Sequence, residues 1–158
     1  ESSHFLKEIN NKLRSADTIL LGIDLRKPAH ILEPAYDDSA GVTARFNLNL
    51  LNRINMELGG QFEPVKFKHS AIYNEPDGRI EMYLESLEDQ DIWIEALETS
   101  ISFVEGEKIL TEYSHKYSQT EIESLASSAG FSIKQQWFDN MNWFSLNLLT
   151  PKSTPLNE

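Results

Sequence analysis

Glu112 and Ser114 stand two positions apart in the stretch GEKILTEYSHKYS, residues 106–118. In an extended chain alternate side chains share a face, so Glu112, Ser114 and Lys116 would form a row on one side of a strand. The carboxylate is a charged acceptor, and the hydroxyl both donates and accepts. Together they match the two nitrogens of an imidazole. The plainer alternative is a cross-strand ion pair of Glu112 with Lys116 or Arg79 on a wet face, worth well under about 1 kcal/mol.

Other polar groups offer less. Asp37 and Asp38, with Glu33 upstream, have the types of metal ligands, but no histidine or further carboxylate lies at a supporting spacing. Such a pair is expected to cap the following helix, where carboxylates meet unpaired backbone N–H groups. His69 and His115 each lie in a strand pattern and read as surface or satisfied core residues. No serine sits in a nucleophile elbow, and the glycines are scattered rather than gathered in a phosphate loop.

Composition limits the partners. The 158 residues carry 25 acidic and 14 basic side chains, a net charge of −11. That balance argues against a phosphate backbone or an anionic membrane, both of which need concentrated positive charge. A hydrophobic content of 40% with 10% aromatics suits a globular chain. The lack of cysteine removes disulfide and thiolate chemistry and fits a reducing cytoplasm. No apolar run suggests a membrane span or a secretion signal, and the first residue is Glu rather than Met.

The elements that must position the row alternate in period. Residues 4–14 read as a helix, and DTILLGID (17–24) as a strand buried on both faces of a parallel sheet. A short helix with a break at Pro34 follows Pro28, and then an amphipathic helix over 41–58 that Gly59 ends. That helix is expected to turn Phe46, Leu50 and Ile54 onto a sheet. KFKHSAIYN and GRIEMYLES flank a turn as a hairpin, and the strand signal continues to about Ser118, predicting a single small antiparallel sheet. SQTEIESLASSAG is a capped helix, FSIKQQWF and WFSLNLLTP are two closing strands, and the tail after Pro151 reads as loose. The fold class is therefore α/β: a middle α+β lobe set within what looks like the back half of an α/β sheet.

Four segments carry a resemblance. LLGIDLRKP, AYDDSAGVTARFNLNLLNRINMELG, RIEMYLES and TEYSHKYS, in this order, resemble the histidine-specific N-α-methyltransferases of ergothioneine biosynthesis, over about Asp17 to Pro151. The resemblance implies a Rossmann-like methyltransferase domain carried by 1–27 and 117–151, with a substrate lobe inserted over 28–116 and a flexible tail over 152–158. It implies S-adenosylmethionine as co-substrate and histidine as substrate. It places Glu112 and Ser114 on the substrate imidazole, Tyr36 near its carboxylate, and Thr43 and Met82 in the same pocket. Relatives acting on tryptophan-like substrates differ at Met82 and Glu112. The segments that hold the methyl donor in the family have no counterpart here, so the N-terminal half of the sheet is expected to be absent. An isolated chain of this kind would be inactive and prone to self-association through an open strand edge. Methylation of another amino acid or amine, and a non-catalytic ligand-binding or interaction domain, are the competing readings.

Overall fold

The computed structural model describes residues 2–152. In chain order the elements are α1 (Ser2–Asn10), β1 (Ile19–Asp24), α2 (Ala29–Tyr36), α3 (Val42–Leu58), β2 (Phe67–Asn74), β3 (Arg79–Ser86), β4 (Gln90–Ile94), β5 (Thr99–Phe103), β6 (Lys108–His115), α4 (Gln119–Ser128), β7 (Phe131–Phe138) and β8 (Phe144–Pro151). The result is a mixed α/β fold of two compact units, Glu1–Lys27 with Lys116–Glu158, and Pro28–His115. The loose tail expected over 152–158 lies outside the described residues, Lys152 excepted.

The first unit is a three-stranded sheet in the order β1-β8-β7, with both pairings antiparallel. Leu6 of α1 and Ala126 of α4 pack with Phe131 and Leu149 on one face. The expectation of a β1 buried on both faces is corrected: Ile23 is 7% exposed, but Leu20, on the opposite face, is 59% exposed. Within this unit helices cover only one face of the sheet, so the apolar run is continuous while its burial alternates. At the end of β1, Asp24 receives both Lys27 and the buried Lys116, the latter at 3.1 Å.

α4 begins with a capping box, a pattern in which the cap hydroxyl and a carboxylate three residues on satisfy each other's backbone N–H. Ser118 Oγ accepts from Glu121 N at 3.3 Å, and Glu121 Oε2 accepts from Ser118 N at 2.7 Å. The same carboxylate takes a forked pair from Arg26 at 3.0 and 2.7 Å. The guanidinium first, then the cap N–H, hold Glu121 below its ordinary value of 4.5, at about 2. A carboxylate depressed on folding contributes stability above its unfolded value, and that contribution disappears as pH falls toward the folded value. The chain should therefore lose stability between about pH 4.5 and 2. Glu121→Gln should flatten that part of an acid-melting profile, and an unchanged profile would remove Glu121 from the cause.

The second unit contains α2, α3, the sheet β2-β3-β6 and a separate two-stranded sheet β4-β5. This corrects the single continuous sheet expected from sequence: β4 and β5 pair with each other as their own hairpin. α2 runs through Pro34 rather than breaking there. The proline removes one helical N–H, and Asp37 N still closes the last turn on Glu33 O at 2.8 Å. α3 is rotated from its expected phase. Asn47 and Leu51 are each 1% exposed, whereas Phe46 is 65% exposed. Leu51 enters an aromatic cluster of Phe62, Phe67 and Phe103, with Ile54 half-buried beside it. Asn47 is drawn inward because its amide finds polar partners on the sheet.

Candidate functional site

β3 alternates cleanly, with Ile80, Met82 and Leu84 at 0, 2 and 1% exposure on the face that meets the helices. Residues opposite each other in an antiparallel ladder share a face. Tyr73, Ile80 and Ser114 therefore form one row across the three strands, and Ala71, Met82 and Glu112 the next. His69, Leu84 and Ile109 form a third. Ile109 and Glu112 are three apart, and a regular strand would send them to opposite faces. The register shift between Met82 and Tyr83 resolves this: Thr111 is an extra residue, and its hydroxyl donates to Met82 O at 3.0 Å. The bulge brings Glu112 and Ser114 onto the helix-facing side of the sheet.

Above these rows sits the end of α2. Leu32 packs with Ile80 and Met82, and the Tyr36 ring lies against the same cluster. The Tyr36 hydroxyl is 2.7 Å from Ser114 Oγ. Glu112 is exposed beside this pair and makes no hydrogen bond or ion pair among the described residues. Tyr36, Met82, Glu112 and Ser114 thus gather at one corner of the lobe sheet.

Thr43 is engaged differently. Asp38 accepts from the backbone N–H of Thr43 at 2.8 Å and of Val42 at 2.9 Å, capping α3. Those N–H groups, that of Thr43 foremost, hold Asp38 at about 2. This is the capping role the sequence favoured for the Asp37–Asp38 pair, carried by Asp38 alone, while Asp37 stands at the carboxyl end of α2.

The row inferred from GEKILTEYSHKYS needs one correction. β6 ends at His115, and Lys116 lies in the other unit, paired with Asp24. Arg79 does not pair with Glu112 either. It faces the opposite side of the sheet, where it bridges Asp77 at 3.0 Å and Glu81 at 2.8 Å and lies 4.0 Å over the Tyr113 ring. Neither ion pair of the plainer alternative is formed.

His69 is a satisfied histidine, as its strand setting suggested. Nδ1 lies 2.9 Å from Asn47 Nδ2 and Nε2 lies 2.8 Å from Tyr36 O. That it ties α2 and α3 to the site had no signal in the sequence, because its partners are a backbone carbonyl and a helix asparagine. A separate cleft of about 680 Å³ lies between α3 and β6, lined by Leu50, Ile54, Leu58, Ile109 and Leu110 among others. It is largely aliphatic and includes none of the four gathered residues.

Comparison with known proteins identifies the family. The chain belongs to the histidine-specific, SAM-dependent methyltransferase family, whose model matches residues 1–151. It is 38% identical over 146 residues to a histidine N-alpha-methyltransferase of Mycolicibacterium smegmatis, covering 92% of this chain and 46% of that protein. An L-tryptophan methyltransferase of Psilocybe serbica is 29% identical over 153 residues, covering 96% of this chain and 42% of the relative. The ergothioneine biosynthesis protein 1 of Schizosaccharomyces pombe is 23% identical over 150 residues, covering 94% of this chain and 19% of the relative. The chain therefore spans about half the length, or less, of the curated relatives it matches.

Proposed function

We propose that this chain forms the amino-acid-binding portion of a methyltransferase that moves methyl groups from S-adenosylmethionine to the α-amine of histidine. The observation that supports it is the corner itself: an exposed carboxylate with no partner among the described residues, beside a bonded Tyr36–Ser114 pair, on a floor of Met82. A neutral imidazole has one N–H and one bare nitrogen. Glu112 would accept from the N–H. Ser114, accepting from Tyr36, would donate to the other nitrogen. The Tyr36 hydroxyl would thus act through Ser114 in this arrangement, besides any contact with the substrate carboxylate. An apolar side chain leaves the carboxylate without a donor, which discriminates more steeply than shape alone.

The units take complementary parts in this reading. Pro28–His115 is the substrate lobe, and the sheet β1-β8-β7 belongs to a Rossmann-like methyltransferase domain whose other strands lie outside these residues. β1 is an edge strand of that sheet, bridged to Tyr117 at its carboxyl end, and the rest of its edge suits a further strand or a second copy. The donor supplies a methyl group on a sulfonium. None of the seven glycines follows the carboxyl end of a strand of this sheet, so the residues do not fit a glycine-rich donor loop. The roles assigned to this chain are recognition and orientation of the amino acid. The tryptophan-acting relative supports a second reading, N-methylation of another amino acid through the same corner.

Titrating the chain separately with histidine and with S-adenosylmethionine tests the proposal. Histidine should shift the amide signals of Tyr36, Glu112 and Ser114, and the donor should bind weakly or not at all. Tryptophan binding in place of histidine would favour the second reading. Donor binding without any amino-acid binding would sink both.

A further inference from the structure

We infer that His69 is a positioning residue of this corner: as its Nε2–H tautomer it closes the carboxyl end of α2 and fixes where the Tyr36 hydroxyl meets Ser114. The inference rests on the amino-acid-binding reading of the corner.

The tautomer follows from the partners. Tyr36 O can only accept, so the ring nitrogen 2.8 Å from it carries the proton. Nδ1 is then a lone pair, and Asn47 Nδ2 donates to it at 2.9 Å. The second N–H of the same amide donates to Tyr83 O at 3.1 Å. The amide cannot be turned over, because its oxygen would then face a carbonyl. Each group in the chain Asn47, His69, Tyr36 is thus used in one sense only.

The need for such a clamp lies in α2. The helix has 8 residues and contains Pro34. A helix this short, with one N–H missing, is marginal by itself even with its last turn closed by Asp37 N, and gains from a tertiary anchor at its last residue. Its final carbonyls also lack helical partners. Leu32 anchors the middle by packing against Ile80 and Met82. Glu33 Oε1 accepts from Tyr73 N at 3.2 Å. His69 takes hold of the Tyr36 backbone itself, at its carbonyl. The tyrosine is then tied at its carbonyl to β2 and at its hydroxyl to β6, with its ring across Ile80 and Met82 of the strand between. Both ends of the residue are fixed, so the Tyr36 hydroxyl meets Ser114 at a set position.

Long-range ¹⁵N–¹H correlation spectra of the 158-residue chain read the His69 tautomer directly. The Nε2–H form is expected, and an Nδ1–H form overturns the clamp whether or not histidine binds. His69→Leu should weaken histidine binding about tenfold and broaden the Tyr36 ring signals. His69→Gln, whose amide can donate to the same carbonyl, should recover most of both. A folded His69→Leu chain binding histidine within about twofold of the unsubstituted one overturns the proposal. If His69→Leu does not fold, the tautomer and the Gln variant decide: loss of binding and of Tyr36 order in a folded Gln variant counts against the carbonyl clamp. Failure of the unsubstituted chain to bind histidine would instead sink the proposed function, while the tautomer and the Tyr36 signals would still judge the clamp.

Discussion

Phe67→Ala is expected to destabilise the chain by about 3–5 kcal/mol, the usual cost of removing a buried aromatic ring. Phe67 is 3% exposed, and its ring centroid lies 5.8 Å from Phe62 and 5.7 Å from Phe103. Truncation removes two aromatic contacts at once and leaves a cavity that Leu51 and Ile94 cannot both fill without moving the helix and the β4–β5 hairpin. The effect should reach the site, since β2 starts at Phe67 and carries His69 two residues on. Phe46→Ala is the control: at 65% exposure it should change stability by no more than about 0.5 kcal/mol. Urea melts of the two variants followed by circular dichroism settle the comparison. Equal losses would mean that α3 presents its other side to the sheet.

That contrast shows where sequence reasoning reached and where it stopped. The hairpin β2–β3 was legible because EPDG separates two alternating runs, and α4 because Ser118 and Glu121 have capping-box spacing. The phase of α3 was not, since a period argument gives no weight to asparagine, and Asn47 is buried on the strength of two hydrogen bonds. The span of β1 was plain, but its apolar run reads alike for one covered face or two. Alternation placed Glu112 and Ser114 on a common face correctly, because the bulge at Thr111 precedes them. It failed for Lys116, because nothing in EYSHKYS marks His115 as the last strand residue. Tyr36 and Met82 entered through family resemblance alone. Met82 meets Glu112 through the β3–β6 register, and Tyr36 meets Ser114 through the way α2 lies over the sheet; both are tertiary information. The site was thus half visible: the chemistry in one strand, its neighbours only in the fold.

Glu112→Ala should weaken histidine binding by about ten- to 150-fold, equivalent to about 1.5–3 kcal/mol for a hydrogen bond to a charged group. The carboxylate is exposed and makes no bond of its own among the described residues. Its removal should therefore leave folding nearly unchanged, and the loss should appear in binding alone. A carboxylate held in an ion pair would behave in the opposite way, with a small stability change and unaltered ligand choice. Arg79 is engaged across the sheet with Asp77 and Glu81, which removes that outcome from expectation. Glu112→Gln should be intermediate, because its amide oxygen can still accept from the imidazole N–H but without charge. Combining Glu112→Ala with Met82→Val opens the floor and removes the acceptor together, so preference should move toward bulkier apolar amino acids such as tryptophan. Met82 is 2% exposed, so the double variant needs a melting curve to show that it is folded. Calorimetric titration of the single variant with histidine is the decisive measurement. An affinity within about twofold of the unsubstituted chain would take Glu112 out of the site, leaving Tyr36 and Ser114 as a hydrogen bond that pins a helix to a sheet.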